Sequence, residues 1–440
     1  MSALDAKARV LAIIDDDEQD LRELCLRLGN ARDYAGEELE VGETVVQWLR
    51  EANVEAHLQF ISETSVNAIG VLPGSGDREG GGRSLILNAH MDTQGSVPLG
   101  GDEAERRLRG AWAEGDLVYG AGLANDKAQL AAELIAIRSL RRAEIGLKES
   151  LFVTGVAQET SAPPLDGEEI ERWSGIGPRM SQVREGHGAK WLVEHGVVAD
   201  FALVGEVTDF KLSLGQAGYL RLRIAVPGNV RYTPLLHRGE NIADNPNPFE
   251  RAGHVIVALE AWAKEYERTD VLDFGRGTIV PHAQVLEVCP GGLAFTELTD
   301  YCHIFFDVRL VPGAKPADIQ QRVQRAVDAL GLDCNVAPYD YRRGHLAEHA
   351  EPLIEALADA HRQVFGQDLD DTDGRTLSTW RDTNAFNEAG IPAICYGART
   401  RDSNLGGGLA GESRPMAIAD LIALAKVYAL TALGVCQIDA

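Results

Sequence analysis

The sequence predicts an α/β protein, with a mixed, mostly parallel sheet, helices on both faces and a smaller inserted α+β unit. Three observations predict it. Short apolar runs alternate with amphipathic stretches between about residues 84 and 208, as strands alternate with crossover helices. Three of those runs end in polar or ionisable groups, at His90/Asp92, Gln158/Glu159 and Glu206. From about Leu214 the pattern changes to period two, and α/β character returns near residue 335.

Each element follows from its own pattern. Residues 1 to about 55 read as helical, with apolar positions three to four apart in VGETVVQWLREANV. GSGDREGGGR (74–83) reads as a hairpin-like loop. SLILNAH (84–90) is a short buried strand, and NDKAQLAAELIAIRSLRRA (125–143) is a long helix after the Gly-rich turn YGAGLA. SLFVTGVAQET (150–160) is a second buried strand, and residues 186–208 give a helix and a strand that ends at Glu206. YLRLRIAVPG (219–228) and TDYCHIFFDVRLVPG (299–313) read as alternating, half-buried strands, each followed by an amphipathic helix. The tail supplies the helix 351–366, the strand PAICYGA (392–398) and the helix 416–434. The expected domains are therefore 1–215 with 335–440, and an inserted unit at 216–334. In open α/β sheets ligands gather outside the carboxyl ends of the strands, which is where the three polar ends lie.

Charge and cysteine usage narrow the function. A net charge of −25 argues against nucleic acid and anionic membrane, since phosphate-rich partners call for excess Lys and Arg. The six cysteines show no C-x-x-C spacing and read as buried free thiols of a reducing compartment. The N-terminus, MSALDAKARVLAIIDDDEQD, is an acidic amphipathic stretch rather than a signal peptide. No unbroken apolar run reaches the ~18 residues of a membrane span. The expected location is the cytoplasm and the expected partner a small-molecule substrate.

The candidate chemistry sits at the strand ends. His90 and Asp92 are two apart on a strand and point to one side. A carboxylate beside a His can accept the ring N–H that is not bound to metal and so fix the tautomer. Asn125 and Asp126 follow a Gly-rich turn that lets backbone approach a ligand, and either also suits a helix N-cap. Glu159 and Glu206 add carboxylates, completing the N/O donor set that Zn or Mn takes.

In order and spacing, LILNAHMDTQGSVP, YGAGLANDKAQLAA, VTGVAQETS, ADFALVGEVT and RDTNAFNEAGIPAICYGA resemble the aminoacylase / acetylornithine deacetylase / succinyl-diaminopimelate desuccinylase family of metal-dependent hydrolases. The resemblance covers nearly the whole chain. It implies a catalytic domain with an inserted lid or dimerisation domain, a homodimer or higher homo-oligomer, and ordinarily two metals. It implies His90 and Glu206 as ligands, with Val207 replacing the Pro of a Gly-Glu-Pro-Thr-like stretch. Gapless alignment puts Asn125 at the bridging-ligand position; a one-residue slip puts Asp126 there. The family's Glu-Glu becomes Gln158-Glu159, or else Glu159 is the base and Thr160 stands in the ligand slot. The lid His becomes Tyr232, with His237 as another substitute. The C-terminal ligand His is missing, because the last His is His361, and Glu412 is the nearest candidate in its region.

The departures at the bridging Asp, the C-terminal His and the Glu-Glu pair share one direction, away from a second metal. The expected centre is one divalent ion per chain, Zn or Mn, on His90, Glu206 and Asn125 or Asp126, with Glu159, Asp92 and Gln158 as catalytic candidates. Tyr232, His237, Trp380 and Arg381 are the substrate-binding candidates: Arg381 for a carboxylate, Trp380 for a ring. The expected reaction is hydrolysis of a C–N bond in a small carboxylate-bearing molecule, with an aromatic amine of the 5-nitroanthranilate kind as the specific form. The alternatives are a conventional two-metal amidase, deacylase or dipeptidase, and a non-catalytic dimeric binding protein on the same fold.

Overall fold

A computed structural model of the chain describes residues 3–93, 110–120, 122–160, 186–229, 232–291, 300–400 and 414–438. The N-terminal stretch forms three helices, α1 (Ala3–Asp15), α2 (Glu18–Asn30) and α3 (Leu39–Glu51). Strands β1 (Glu55–Phe60), β2 (Val66–Leu72), β3 (Leu85–His90), β4 (Leu151–Val156) and β5 (Phe201–Val204) follow, with α4 (Ala128–Arg142) before β4 and α5 (His187–Glu194) before β5. With the later strand β10 (Ala393–Cys395), they make a six-stranded sheet in the order β1-β2-β4-β3-β5-β10. The pairs β4/β3, β3/β5 and β5/β10 are parallel; β1/β2 and β2/β4 are antiparallel.

Both faces of this sheet are covered. Leu85, Leu87 and Ala89 of β3 join the large core that holds α1 to α4 and the C-terminal helices. Ile86 points the other way, into a second core with Leu192 of α5 and Phe386. A strand buried on both faces reads as a continuous apolar run, which is why LILNAH lacks polar alternation. Each such Leu or Ile contributes roughly 1.5–3 kcal/mol on burial.

The second sheet is antiparallel. Strands β6 (Gly218–Pro227), β7 (Ala283–Pro290), β8 (Tyr301–Leu310) and β9 (Asn335–Arg342) are ordered β7-β8-β6-β9. One face packs on α6 (Pro248–Thr269) and α7 (Pro316–Asp328) in a core of its own that includes Leu222, Ile224, Ile304 and Phe306. Two details differ from the sequence expectation. β8 is not half-buried: only Tyr301 at its start is exposed. It pairs on both edges, and Phe305 on its other face meets Tyr339 edge-on at 5.4 Å. The sheet also runs past residue 334, because β9 pairs with β6 from Asn335 to Arg342. The register shift at Pro338/Asp340 breaks the alternation that would have marked this strand.

The tail returns to the first unit as α8 (Glu351–Phe365), α9 (Thr383–Glu388), β10 and α10 (Ile418–Cys436). α10 is, among the described residues, the helix long and apolar enough to cross a membrane by composition, with a hydropathy of 1.8. Asp420 and Lys426 interrupt its run, and it packs against α8, α4 and α1 within the core. All six cysteines are buried and free.

Candidate metal centre

Topology brings the three polar strand ends together. β4, β3 and β5 are neighbours and parallel, so residues just past their carboxyl ends converge. Those residues are Glu159 after β4, His90 at the end of β3 and Glu206 after β5. Asp126 arrives from an irregular turn, Leu123–Lys127, ahead of α4. The turn opens at Gly122, at φ +69°, where a Cβ would lie 2.1 Å from Thr93 Cγ2. Only glycine suits that backbone and that approach. Beyond it Lys127, fully buried, pairs with Asp33.

His90, Asp126 and Glu206 offer ligand atoms that all lie within 4.8 Å of one another. His90 is 1% exposed and Asp126 fully buried. His90 Nδ1 donates to the Asp92 backbone carbonyl at 2.9 Å, which leaves Nε2 as the lone-pair nitrogen. Nε2 has no hydrogen-bond partner, and neither does either carboxylate oxygen of Asp126. Nε2 stands 3.5 Å from Asp126 Oδ2. Two ligands at ~2.1 Å on one tetrahedral ion are about 3.4 Å apart, so these orphaned atoms fit a shared cation. Burial pushes the Asp126 carboxyl well above the usual carboxylate range; Glu206 and Glu159 add to this and Arg381 opposes it. A cation at this point would stabilise the ionised form.

Glu159 stands beside this trio, with Oε2 3.6 Å from His90 Nε2. Its position is set by Asp92, whose Oδ1 accepts from Glu159 N and Oδ2 from Thr160 N, each at 2.9 Å. The Thr160 hydroxyl also donates to Asp92 Oδ2.

The other candidate residues have these surroundings. Of the two alternatives in the turn, Asp126 is fully buried and gathers with His90 and Glu206, while Asn125 is half-buried. The ring N–H of His90 goes to the Asp92 carbonyl at 2.9 Å, with Asp92 Oδ1, which accepts from Glu159 N, 3.7 Å from the same nitrogen. Gln158 sits at φ +55° and turns its amide away to Ser65 Oγ at 2.8 Å. Thr160, the alternative ligand, spends its hydroxyl on Asp92.

Arg381 is 7% exposed and meets Glu206 Oε2 at 3.5 Å rather than an open pocket. Its Nη2 donates to the Val207 carbonyl at 3.3 Å. Burial alone would favour the neutral form, but Glu206, Cys395 and Asp126 reverse this and keep the guanidinium charged. Trp380 packs its ring onto Gly186, where a Cβ would lie 2.0 Å from Cη2, and meets Tyr219 edge-on at 6.5 Å. It lines a cleft of about 440 Å³ of mixed charge, with Lys190, Arg342 and Arg343 beside Glu194 and Glu388. Tyr232 and His237 are exposed on the second unit, and no described contact joins them to His90. Glu412 lies outside the described residues.

One buried acid was missed. Glu38, at the start of α3, is fully buried and accepts from Gly36 N at 2.6 Å and Gln158 N at 3.2 Å. Burial, then the nearby Asp92, pushes its carboxyl up to about 8. In sequence it is one of several acids at a helix start and carries no separate signal.

Comparison with known proteins agrees with this architecture. The family model "Peptidase family M20/M25/M40" matches residues 86–434. Succinyl-diaminopimelate desuccinylase of Corynebacterium glutamicum is 24% identical over 379 residues, 85% of this chain and 87% of that protein. Acetylornithine deacetylase of Photorhabdus laumondii is 23% identical over 295 residues, covering 65% and 64%. Human carnosine dipeptidase 1 shares the fold at a TM-score of 0.67 and 14% identity, over 98% of this chain and 99% of that one. The Bacillus subtilis YXEP protein, described as a dinuclear metal binding peptidase, does so at 0.60 and 14%, over 96% and 99%. The chain belongs to the peptidase family M20/M25/M40 and is a metal-dependent hydrolase acting on C–N bonds.

Proposed function

We propose that His90, Asp126 and Glu206 hold one divalent ion per chain, Zn or Mn, and that Glu159 is the general base for hydrolysis of a C–N bond in a small carboxylate-bearing substrate. One observation carries this reading: three buried donors converge with orphaned atoms, while Thr160, in the place of a further acidic ligand, is bound to Asp92. When bound, such an ion supplies Lewis acidity and makes water acidic near neutral pH.

The chain's own groups do the rest. Glu159 takes the proton of the attacking water and delivers it to the leaving nitrogen. Asp92 holds Glu159 through its backbone N–H, and the His90–Asp92 hydrogen bond keeps Nε2 free to ligate. The small unit acts as a lid that pairs two chains. Leu286 and Val288 of its edge strand β7, 42% and 40% exposed, support a homodimer. The six buried free thiols support a cytoplasmic location.

The bond is an amide or peptide bond on the strength of the relatives. A second reading, hydrolysis of an aromatic amine of the 5-nitroanthranilate kind to the hydroxy compound and ammonia, is favoured by Tyr232 standing where the family has its lid His. The test is metal content per chain on protein purified without chelator. With it goes a turnover panel of N-succinyl and N-acetyl amino acids, dipeptides and 5-nitroanthranilate. One ion and turnover of a panel member support the proposal. Two ions refute the single-ion site, and no turnover by the metal-loaded chain refutes the substrate class.

A further inference from the structure

Arg381 is a permanent cation inside an acidic cluster. It reaches the centre from the segment between α8 and α9, with Nε 3.5 Å from Glu206 Oε2 and Nη2 on the carbonyl of the next residue, Val207. Cys395 and Asp126 also act on it electrostatically. Its Nη1 is buried and lacks a hydrogen-bond partner. A guanidinium does not lose its proton in a protein, so its charge is present whether or not an ion is bound.

The charges around it are instructive. Asp126, Glu159 and Glu206 crowd about His90. Asp92 is a fourth carboxylate, 3.7 Å from His90 Nδ1, but it lies on the Nδ1 side and is offset by donors from Glu159 and Thr160. Of the three that gather at Nε2, one guanidinium leaves two negative charges, the charge of a single divalent ion. A buried carboxylate cluster without such compensation is strongly unfavourable. A second divalent ion beside Arg381 would leave the cluster with excess positive charge in a desolvated site.

We propose that Arg381 is the built-in counter-cation of this centre: its guanidinium shares Glu206 with the metal, limits the site to one divalent ion, and keeps that ion exchangeable. The proposal rests on the metal-site reading above. It differs from a substrate-binding role, because the residue acts on ion count and affinity with no substrate present.

The experiment uses the full chain stripped with chelator and titrated with Mn²⁺, read by calorimetry and by elemental analysis after desalting. Wild type should take one ion at saturation, even in tenfold excess of Mn²⁺. Arg381→Met, which keeps bulk but removes charge, should bind Mn²⁺ at least tenfold more tightly or accept a second ion. Arg381→Lys should keep the wild-type count, with affinity nearer wild type than the Met variant. Two ions in wild type overturn the proposal without any variant being needed. So does weaker or lost binding in a folded Arg381→Met protein, which would make Arg381 a positioner of Glu206. Unchanged count and affinity overturn it as well. If wild type binds no Mn²⁺ and His90→Ala titrates identically, the metal-site reading itself fails, a result distinct from any of these.

Discussion

Replacing Glu159 by Gln separates base from ligand. The change keeps shape and hydrogen-bonding size but removes the group that takes a proton. Glu159 Oε2 is 3.6 Å from His90 Nε2, beside the His90–Asp126–Glu206 trio and outside it. Its backbone N–H, bound to Asp92, is untouched by the substitution. Loss of general-base catalysis costs about 10²–10⁴ in rate, or about 3–5 kcal/mol of transition-state stabilisation. Metal content should stay at the wild-type value. Glu159 also adds to the forces that disfavour ionised Asp126, so the variant stripped of metal should melt no lower than wild type. The assays are kcat on the best substrate of the panel, metal per chain by elemental analysis, and thermal melting. A Glu159→Gln protein that loses its metal would move Glu159 onto the ligand list. One that turns over at the wild-type rate would end its role as base.

Other outcomes follow from the same geometry. His90→Ala should lose both metal and turnover, since it deletes the one nitrogen donor of the trio; retained turnover would refute the site. Asp126→Asn should weaken metal binding by a factor of ten or more while Asn125→Ala leaves it within a few-fold, and metal titration showing the reverse order would restore Asn125 as ligand. Gly122→Ala, which puts a Cβ against Thr93 at φ +69°, should cost about 1–3 kcal/mol of stability and lower metal affinity; an unchanged melting temperature would refute the turn's role. Glu38 has a folded-state carboxyl raised to about 8 from an ordinary 4.5. Its contribution is therefore present below about 4.5 and is lost as pH rises toward about 8, where the folded protein must give up a proton the unfolded chain has already lost. Glu38→Gln should flatten that fall in stability, measured by denaturant unfolding between these pH values; an identical slope would show that Glu38 does not titrate there.

What the sequence by itself determined is the architecture and the places where ionisable groups leave the core. Apolar runs that stop at His90, Glu159 and Glu206 are readable because a parallel strand buried on both faces has no other place for ionisable groups than its end. The spacing of the motifs identified the family for the same local reason. Tertiary structure decided which donors meet. Sheet order places β3 between β4 and β5, a fact about pairing over more than a hundred residues. Asp126 reaches His90 and Glu206 from an irregular turn whose non-helical backbone no propensity encodes. Gln158 was turned out of the site by a positive φ, and Thr160 was claimed by Asp92. Arg381 looked like a hand for a substrate carboxylate because its neighbours in sequence say nothing of Glu206. The fold closes that gap of 175 positions, bringing the guanidinium onto the Val207 carbonyl, 174 residues away, and onto the carboxylate just before it. Local patterning records where polar groups leave the core; only packing records which of them share the low-dielectric space where their charges must balance.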